Sequence, residues 1–279
     1  MREFPVWVPA GEERLCGVIC APDGDSADLG VLLLTGGNYT RTHRNRMWVR
    51  AARELAERRV ASLRVDYHGV GDSTGRVVFH LDDPLVEDVM ASADFFRRAT
   101  RVSRLAIVAT CFGGRGAVAA SALRDDVVST TVFPVPAEIP ARADQRAPFR
   151  RRLRMWIKKS ELGARLLRSP KVKRARAAVA DRRGAPDLIV SPRFRRDTAL
   201  SASKGTVRFV FGEHEKELPG LERMIDELRA ELPPEELSRI ELHVVPGREL
   251  ARFQTFGDQD VVVEEAVASV LAALAEASP

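Results

Sequence analysis

Six residues, Ala109-Thr110-Cys111-Phe112-Gly113-Gly114, put one possible nucleophile between a run with strand character (105–109) and a run with helix character (115–123). This is the spacing of a nucleophile elbow, G-x-S-x-G, with Ala at the first small position and Cys in place of Ser. A side chain on a sharp strand-to-helix turn stands clear of the backbone only where its neighbours are small, as positions 109, 113 and 114 are. The helix N-terminus that follows favours negative charge, and so a thiolate or a bound oxyanion. The same six residues also suit a buried cysteine in an ordinary βα turn, so the rest of the chain has to decide.

Three other stretches carry chemistry. Gly36-Gly37-Asn38-Tyr39 follows the apolar run 30–35, and glycines there let backbone N–H groups face a ligand. The basic stretch 41–46 after it contains His43. Gly212-Glu213-His214-Glu215-Lys216-Glu217 closes the run 206–211 with three carboxylates and a histidine. The loop 66–75 holds three glycines, but its Gly69-Val70-Gly71 is not a dinucleotide loop, because no helix follows at once and the third glycine is missing. Cys16, Cys20 and Cys111 are too few for a disulfide framework, and no Cys/His cluster has metal-binding spacing, so neither metal nor cofactor is expected.

The elements that must position these residues follow from periodicity. Runs 3–8 and 14–20 read as an N-terminal antiparallel hairpin. Run 30–35 is a continuous apolar run, as a strand covered by helices on both faces must be, and runs 60–65, 105–109, 127–133, 206–211 and 240–245 read as the further strands. Helical patterns lie at 48–58, 82–99 (with Asp82 or Asp83 as N-cap), 115–123, 219–232 and 260–275. The fold class expected is therefore α/β, an eight-stranded mostly parallel sheet with helices on both faces. Ligands of such sheets sit at the carboxyl ends of the strands, where the three stretches above converge.

The 279 residues suit one large core with an insertion. From residue 134 the texture changes. Four prolines are followed by two basic helical patterns over 149–180, and the expected organisation is a core of 1–133 and 201–279 with an inserted helical cap at 134–200. Residues 142–183 carry a net +13 against +5 for the whole chain, which leaves −8 on the remainder. Such asymmetry suits an anionic partner at the cap, with Arg150 and Arg151 among its contacts, or a solvated basic face. No zinc, helix-turn-helix or aromatic-platform signature accompanies the charge, so nucleic acid is not expected. No apolar run approaches a bilayer span, and the first residues lack the apolar region of a signal peptide. A cytoplasmic protein is expected, and the Arg- and Ala-rich usage hints at a bacterial genome.

On these residues the chain resembles the α/β-hydrolase superfamily over nearly its whole length: eight strands, an elbow after the fifth, a cap after the sixth and G-x-x-(D/E) after the seventh. Gly36-Gly37-Asn38-Tyr39, His43-Arg44 and Asp66-Tyr67-His68-Gly69-Val70-Gly71-Asp72-Ser73 are similar to its serine-aminopeptidase-like branch, and in particular to hydrolases found with exosortase systems, which can carry Cys at the elbow. Cys111-Phe112-Gly113-Gly114 also resembles dienelactone hydrolase. The resemblance implies Cys111 as nucleophile, the N–H of Phe112 with that of Gly37 or Asn38 as oxyanion hole, and Glu215 as the acid after strand seven. The family's histidine belongs in the loop after the last strand, and here that loop (245–254) contains none.

Another histidine could serve: His214 beside the acid is favoured, since it leaves a strand on the same rim, ahead of His43 near the oxyanion loop and His80 before a helix, both of which are otherwise expected to line the substrate site. Otherwise the cysteine acts without one, or Cys111 is not a nucleophile. His68 sits in a turn motif where related sequences often have Arg and reads as structural. The function expected is a cysteine-dependent acyl-transfer enzyme, an esterase, thioesterase or acyltransferase, acting on a small-molecule acyl substrate. An acidic acyl carrier protein or a coenzyme A thioester would dock at the basic cap. The missing histidine keeps two alternatives open, a lyase or cyclase of specialised metabolism and a non-catalytic ligand-binding protein.

Overall fold

The computed structural model describes residues 1–37, 39–76, 85–135, 200 and 202–276. One mixed sheet of eight strands runs in the order β1-β2-β4-β3-β5-β6-β7-β8. The strands are β1 (Arg2–Ala10), β2 (Glu13–Ala21), β3 (Leu29–Leu34), β4 (Ala61–Val65), β5 (Arg104–Ala109), β6 (Val127–Val132), β7 (Thr206–Gly212) and β8 (Ile240–Val245). β1 pairs antiparallel with β2, and β2 antiparallel with β4. Every later pairing is parallel. The expected α/β class and the eight-stranded, mostly parallel sheet are thus what the chain adopts.

The helices are α1 (Met47–Glu57), α2 (Val86–Thr100), α3 (Phe112–Leu123), α4 (Leu218–Glu231), the single turn α5 (Pro234–Leu237) and α6 (Phe256–Ala275). Strand pleating decides which helix meets which residue. Val31 and Leu33 of β3 join a core with Trp48 and Leu55 of α1 and Val263 and Val270 of α6. Leu32 and Leu34 face the other way, into a core with Val89 and Phe96 of α2 and Ala117 and Ala120 of α3. Two buried layers back the same central strands, which is why β3 reads as an unbroken apolar run.

Element boundaries depart from the sequence reading in three informative places. β1 continues through Pro9 to Ala10, because an edge strand loses no ladder bond to proline. α3 begins at Phe112 rather than Arg115, since both glycines of the elbow are helical. α6 begins four residues before the expected Asp260, where Thr255 and Asp258 form a capping box. α2 starts at Val86, and Asp82 and Asp83 lie outside the described residues. The chain divides into two compact units, Met1–Ala137 with Ser191–Pro279 and Glu138–Val190. The expected cap at 134–200, with Arg150 and Arg151, lies almost wholly outside the described residues.

Candidate active site

Cys111 sits between β5 and α3 as the helix N-cap, with φ 49° and ψ −121°. That combination is rare for a residue with a Cβ and costs on the order of 1–3 kcal/mol, so the surroundings must impose it. They do. The Gly113 amide donates to the Thr110 carbonyl at 3.0 Å and the Gly114 amide to the Cys111 carbonyl at 3.1 Å, closing the turn on both sides. A Cβ on Gly113 would lie 2.5 Å from the Thr35 carbonyl oxygen and 2.9 Å from the Tyr67 hydroxyl, so the helix can approach β3 this closely only with glycine there.

Gly36 brings the backbone after β3 against the thiol: a Cβ there would lie 3.1 Å from Cys111 Cβ and 3.6 Å from Sγ. Burial pushes the Cys111 thiol above its ordinary value, a hydrogen bond from the Phe112 amide pulls it down, and the Glu217 carboxylate pushes it up. The net direction is upward, so the resting group is a neutral thiol. Glu217, at the head of α4, is half-buried and has no side-chain hydrogen bond or ion pair among the described residues. Sequence reasoning passed over it; its position two residues beyond the acid after β7 is the only signal that was present.

Of the expected oxyanion residues, Phe112 follows Cys111 at the start of α3, Gly37 follows Gly36 on the β3 loop, and Asn38 lies outside the described residues. The β3 loop is folded on itself by the Tyr39 amide donating to the Gly36 carbonyl at 3.1 Å and the Thr35 hydroxyl to the Tyr39 carbonyl at 3.0 Å.

His43 is 5% exposed. Its Nδ1 accepts the Arg44 amide at 2.8 Å, so Nε2 carries the proton and donates to the Thr110 hydroxyl at 3.1 Å. The ring stacks on Tyr39 at 4.5 Å and meets the edge of Phe253 at 4.8 Å. Burial, with Arg44 nearby, lowers its pKa to about 3. Both nitrogens are therefore engaged inside the protein, and His43 holds the residue next to Cys111 instead of lining a substrate surface.

Glu215 is buried, and its Oε1 accepts the amides of Leu250 and of Ala251, the latter at 2.7 Å. Burial raises its pKa, against the pull of those amides. Glu213 likewise accepts the Gly247 amide at 2.8 Å. The carboxylates after β7 thus hold the backbone of the loop after β8. That loop sends Leu250 and Phe253 into the interior. His214 is exposed, and its amide donates to the Arg248 carbonyl at 2.9 Å. No hydrogen bond joins its ring to Glu215 or Cys111 among the described residues. His80 lies outside them. His68 keeps its expected structural setting, with Nδ1 3.0 Å from the buried Asp88 carboxylate. Tyr67 is 1% exposed, and its hydroxyl beside Gly113 has no partner among the described residues.

Among the described residues no group of His, Cys, Asp and Glu could hold a metal ion, and no helix is long and apolar enough to cross a membrane. All three cysteines are free.

No family model matches the chain, and no curated protein matches it in sequence. Solved structures do. Dienelactone hydrolase from Anabaena variabilis is 17% identical with a TM-score of 0.62, each chain covered to 97%. Est1E from Butyrivibrio proteoclasticus, solved with ferulic acid, is 16% identical with a TM-score of 0.64, covering 97% of this chain and 99% of its own. The esterase Pf2001 from Pyrococcus furiosus is 14% identical with a TM-score of 0.59, covering 94% and 91%. Joined to the strand order and to the left-handed residue between β5 and α3, these matches establish that the chain has the α/β-hydrolase fold.

Proposed function

We propose that the protein is an acyl-transfer enzyme of esterase or thioesterase type in which Cys111 accepts the acyl group. The observation that supports this most is the Cys111 backbone at φ 49°. A merely structural cysteine in a βα turn has no use for a strained conformation that lifts its side chain off the sheet end. Sγ would attack the carbonyl carbon, and collapse of the tetrahedral intermediate would break the ester C–O or thioester C–S bond, releasing the alcohol or thiol and leaving the acyl group on Sγ. The developing oxygen charge would be met by the Phe112 and Gly37 amides, a pair of donors about 3 Å away being the usual requirement.

The thiol proton needs an acceptor. We assign it to Glu217, whose carboxylate has no side-chain hydrogen bond or ion pair among the described residues and whose charge acts on the Cys111 thiol. Glu215 is less suited than the resemblance implied, because its carboxylate is occupied by the Leu250 and Ala251 amides. His214, exposed on the same rim, would have to turn inward to act. The net +13 of residues 142–183 supports docking of an acyl carrier protein or coenzyme A phosphates there, with Arg150 and Arg151 among the contacts. The free thiols fit a reducing, cytoplasmic setting. The acyl group would come from a small-molecule ester or thioester.

The absence of a histidine from the loop after β8 supports a second reading, elimination or cyclisation on the same scaffold with no acyl-enzyme. Turnover of a panel of acyl esters and thioesters separates the two. Acyl transfer predicts that Cys111→Ala removes at least about 10³-fold of the rate and Glu217→Gln about 10²-fold. Turnover that survives Cys111→Ala supports the second reading.

A further inference from the structure

The stretch 66–73 supplies no group to the chemistry proposed above, yet it contains a fully buried carboxylate at the end of β4. Asp66 is 0% exposed. One of its oxygens accepts the Arg41 backbone amide and the other the Arg41 guanidinium. The same guanidinium reaches the Asp72 carboxylate at 2.8 Å. Gly71, at φ 56°, leaves room for this arrangement, since a side chain there would collide with the Asp66 carboxylate. The Asp66 backbone is itself well anchored. The Asp66 amide donates to the Cys16 carbonyl at 2.9 Å, and the Ser73 hydroxyl donates to the Asp66 carbonyl at 2.9 Å while accepting the Cys16 amide at 2.8 Å.

Arg41 belongs to the loop that begins at Gly36 and Gly37, the one whose backbone lies against the Cys111 thiol. This loop has no local preference for its shape. His43, Asn45 and Arg46 all hold positive φ, at 57°, 49° and 59°. It is pinned from outside instead: by His43 on Thr110 toward the elbow, by the Arg44 guanidinium on the Arg252 carbonyl at 3.0 Å, and by Arg41 between Asp66 and Asp72 toward β4.

We infer that Arg41 is a positioning residue for the oxyanion-binding amides: clamped by Asp66 and Asp72, it fixes where the Gly36–Gly37 backbone lies against Cys111. The inference rests on the acyl-transfer reading and adds a device that the reading does not contain. Oxyanion donors act only at the right distance, and a misplacement of about 1 Å costs about 10²-fold in rate. A planar guanidinium bonded to a buried and an outer carboxylate holds a fixed direction that a flexible ammonium does not.

Two reactions of one thiol isolate this role. Acylation of Cys111 by p-nitrophenyl acetate passes through a tetrahedral oxyanion and releases p-nitrophenolate. Alkylation by iodoacetamide displaces iodide directly and forms no oxyanion. Both rates are measured by intact-protein mass spectrometry on the full chain, with Cys111→Ala as the background for Cys16 and Cys20. Arg41→Ala is expected to slow acylation by about 10²-fold while alkylation stays within about threefold of wild type. Arg41→Lys, which keeps the charge and carries the test should Arg41→Ala fail to fold, is expected to fall between the two. An unchanged ratio of acylation to alkylation overturns the inference and leaves the acyl-transfer reading standing. A parallel fall of both rates also overturns it, because the rim as a whole would then have loosened. No Cys111 adduct in the wild type overturns the acyl-transfer reading, and this inference with it.

Discussion

His43 should make the fold sensitive to mild acid. Its pKa is held at about 3 by burial, against an ordinary 6.5 in the unfolded chain. The folded value is the lower one, so the stability tied to neutral His43 is complete above pH 6.5 and is lost as pH falls toward 3. Below pH 6.5 the unfolded state takes up a proton that the native state refuses, and stability declines by about 1.4 kcal/mol per pH unit. Integrated from pH 7.5, the loss is about 2 kcal/mol at pH 5 and about 4 kcal/mol at pH 3. The charged group facing the ring, Arg44, works in the same direction. Urea unfolding followed by circular dichroism between pH 7.5 and pH 5 measures this, with His43→Asn as comparator, since Asn is polar but does not titrate. The variant will be less stable throughout, having lost the Thr110 bond and the contacts with Tyr39 and Phe253. The test is the slope. The wild type should lose about 2 kcal/mol more than the variant over this range, and parallel curves would refute the buried neutral imidazole.

Other consequences are equally direct. Because burial and Glu217 push the Cys111 thiol upward, its alkylation by iodoacetamide should still be accelerating at pH 9, and Glu217→Gln should move the profile to lower pH; a plateau below pH 8.5 contradicts both. Glu215→Gln keeps an acceptor for the Leu250 and Ala251 amides and should leave Cys111 acylation within about threefold, whereas Glu215→Ala strips two amides and should cost about 1–3 kcal/mol in urea unfolding. Gly113→Ala places a Cβ 2.5 Å from the Thr35 oxygen, so it should destabilise the fold by about 1–3 kcal/mol and lower the melting temperature.

The fold was legible because its signals are local. Runs such as Val31–Leu34 can only be strands buried on both faces, and their alternation with helical patterns leaves few topologies. The elbow was legible for the same reason: a strand, one nucleophile and small neighbours in succession. What the sequence hid depends on contacts between distant segments. Gly113 and Gly114 read as a loop because helix propensity disfavours glycine, and only the close approach of α3 to the end of β3 at Gly113 and to Val132 of β6 at Gly114 explains them. Glu215 matched an acid by spacing, but which groups its oxygens meet is set by the path of the loop after β8, 35 residues on. His43 was drawn toward the substrate by its neighbourhood in sequence, while three aromatic rings and Thr110 enclose it in space. Arg41 looked like one charge in a basic run, and its partners come from the end of β4.

The central claim is that Cys111 accepts an acyl group, and intact-protein mass spectrometry after exposure to activated esters and acyl thioesters tests it most directly. The account predicts a mass increase equal to one acyl group in the wild type and none in Cys111→Ala, with Cys16 and Cys20 unmodified in both. An adduct of equal yield in the two proteins, or turnover of these substrates with no trapped adduct and no dependence on Cys111, would contradict it.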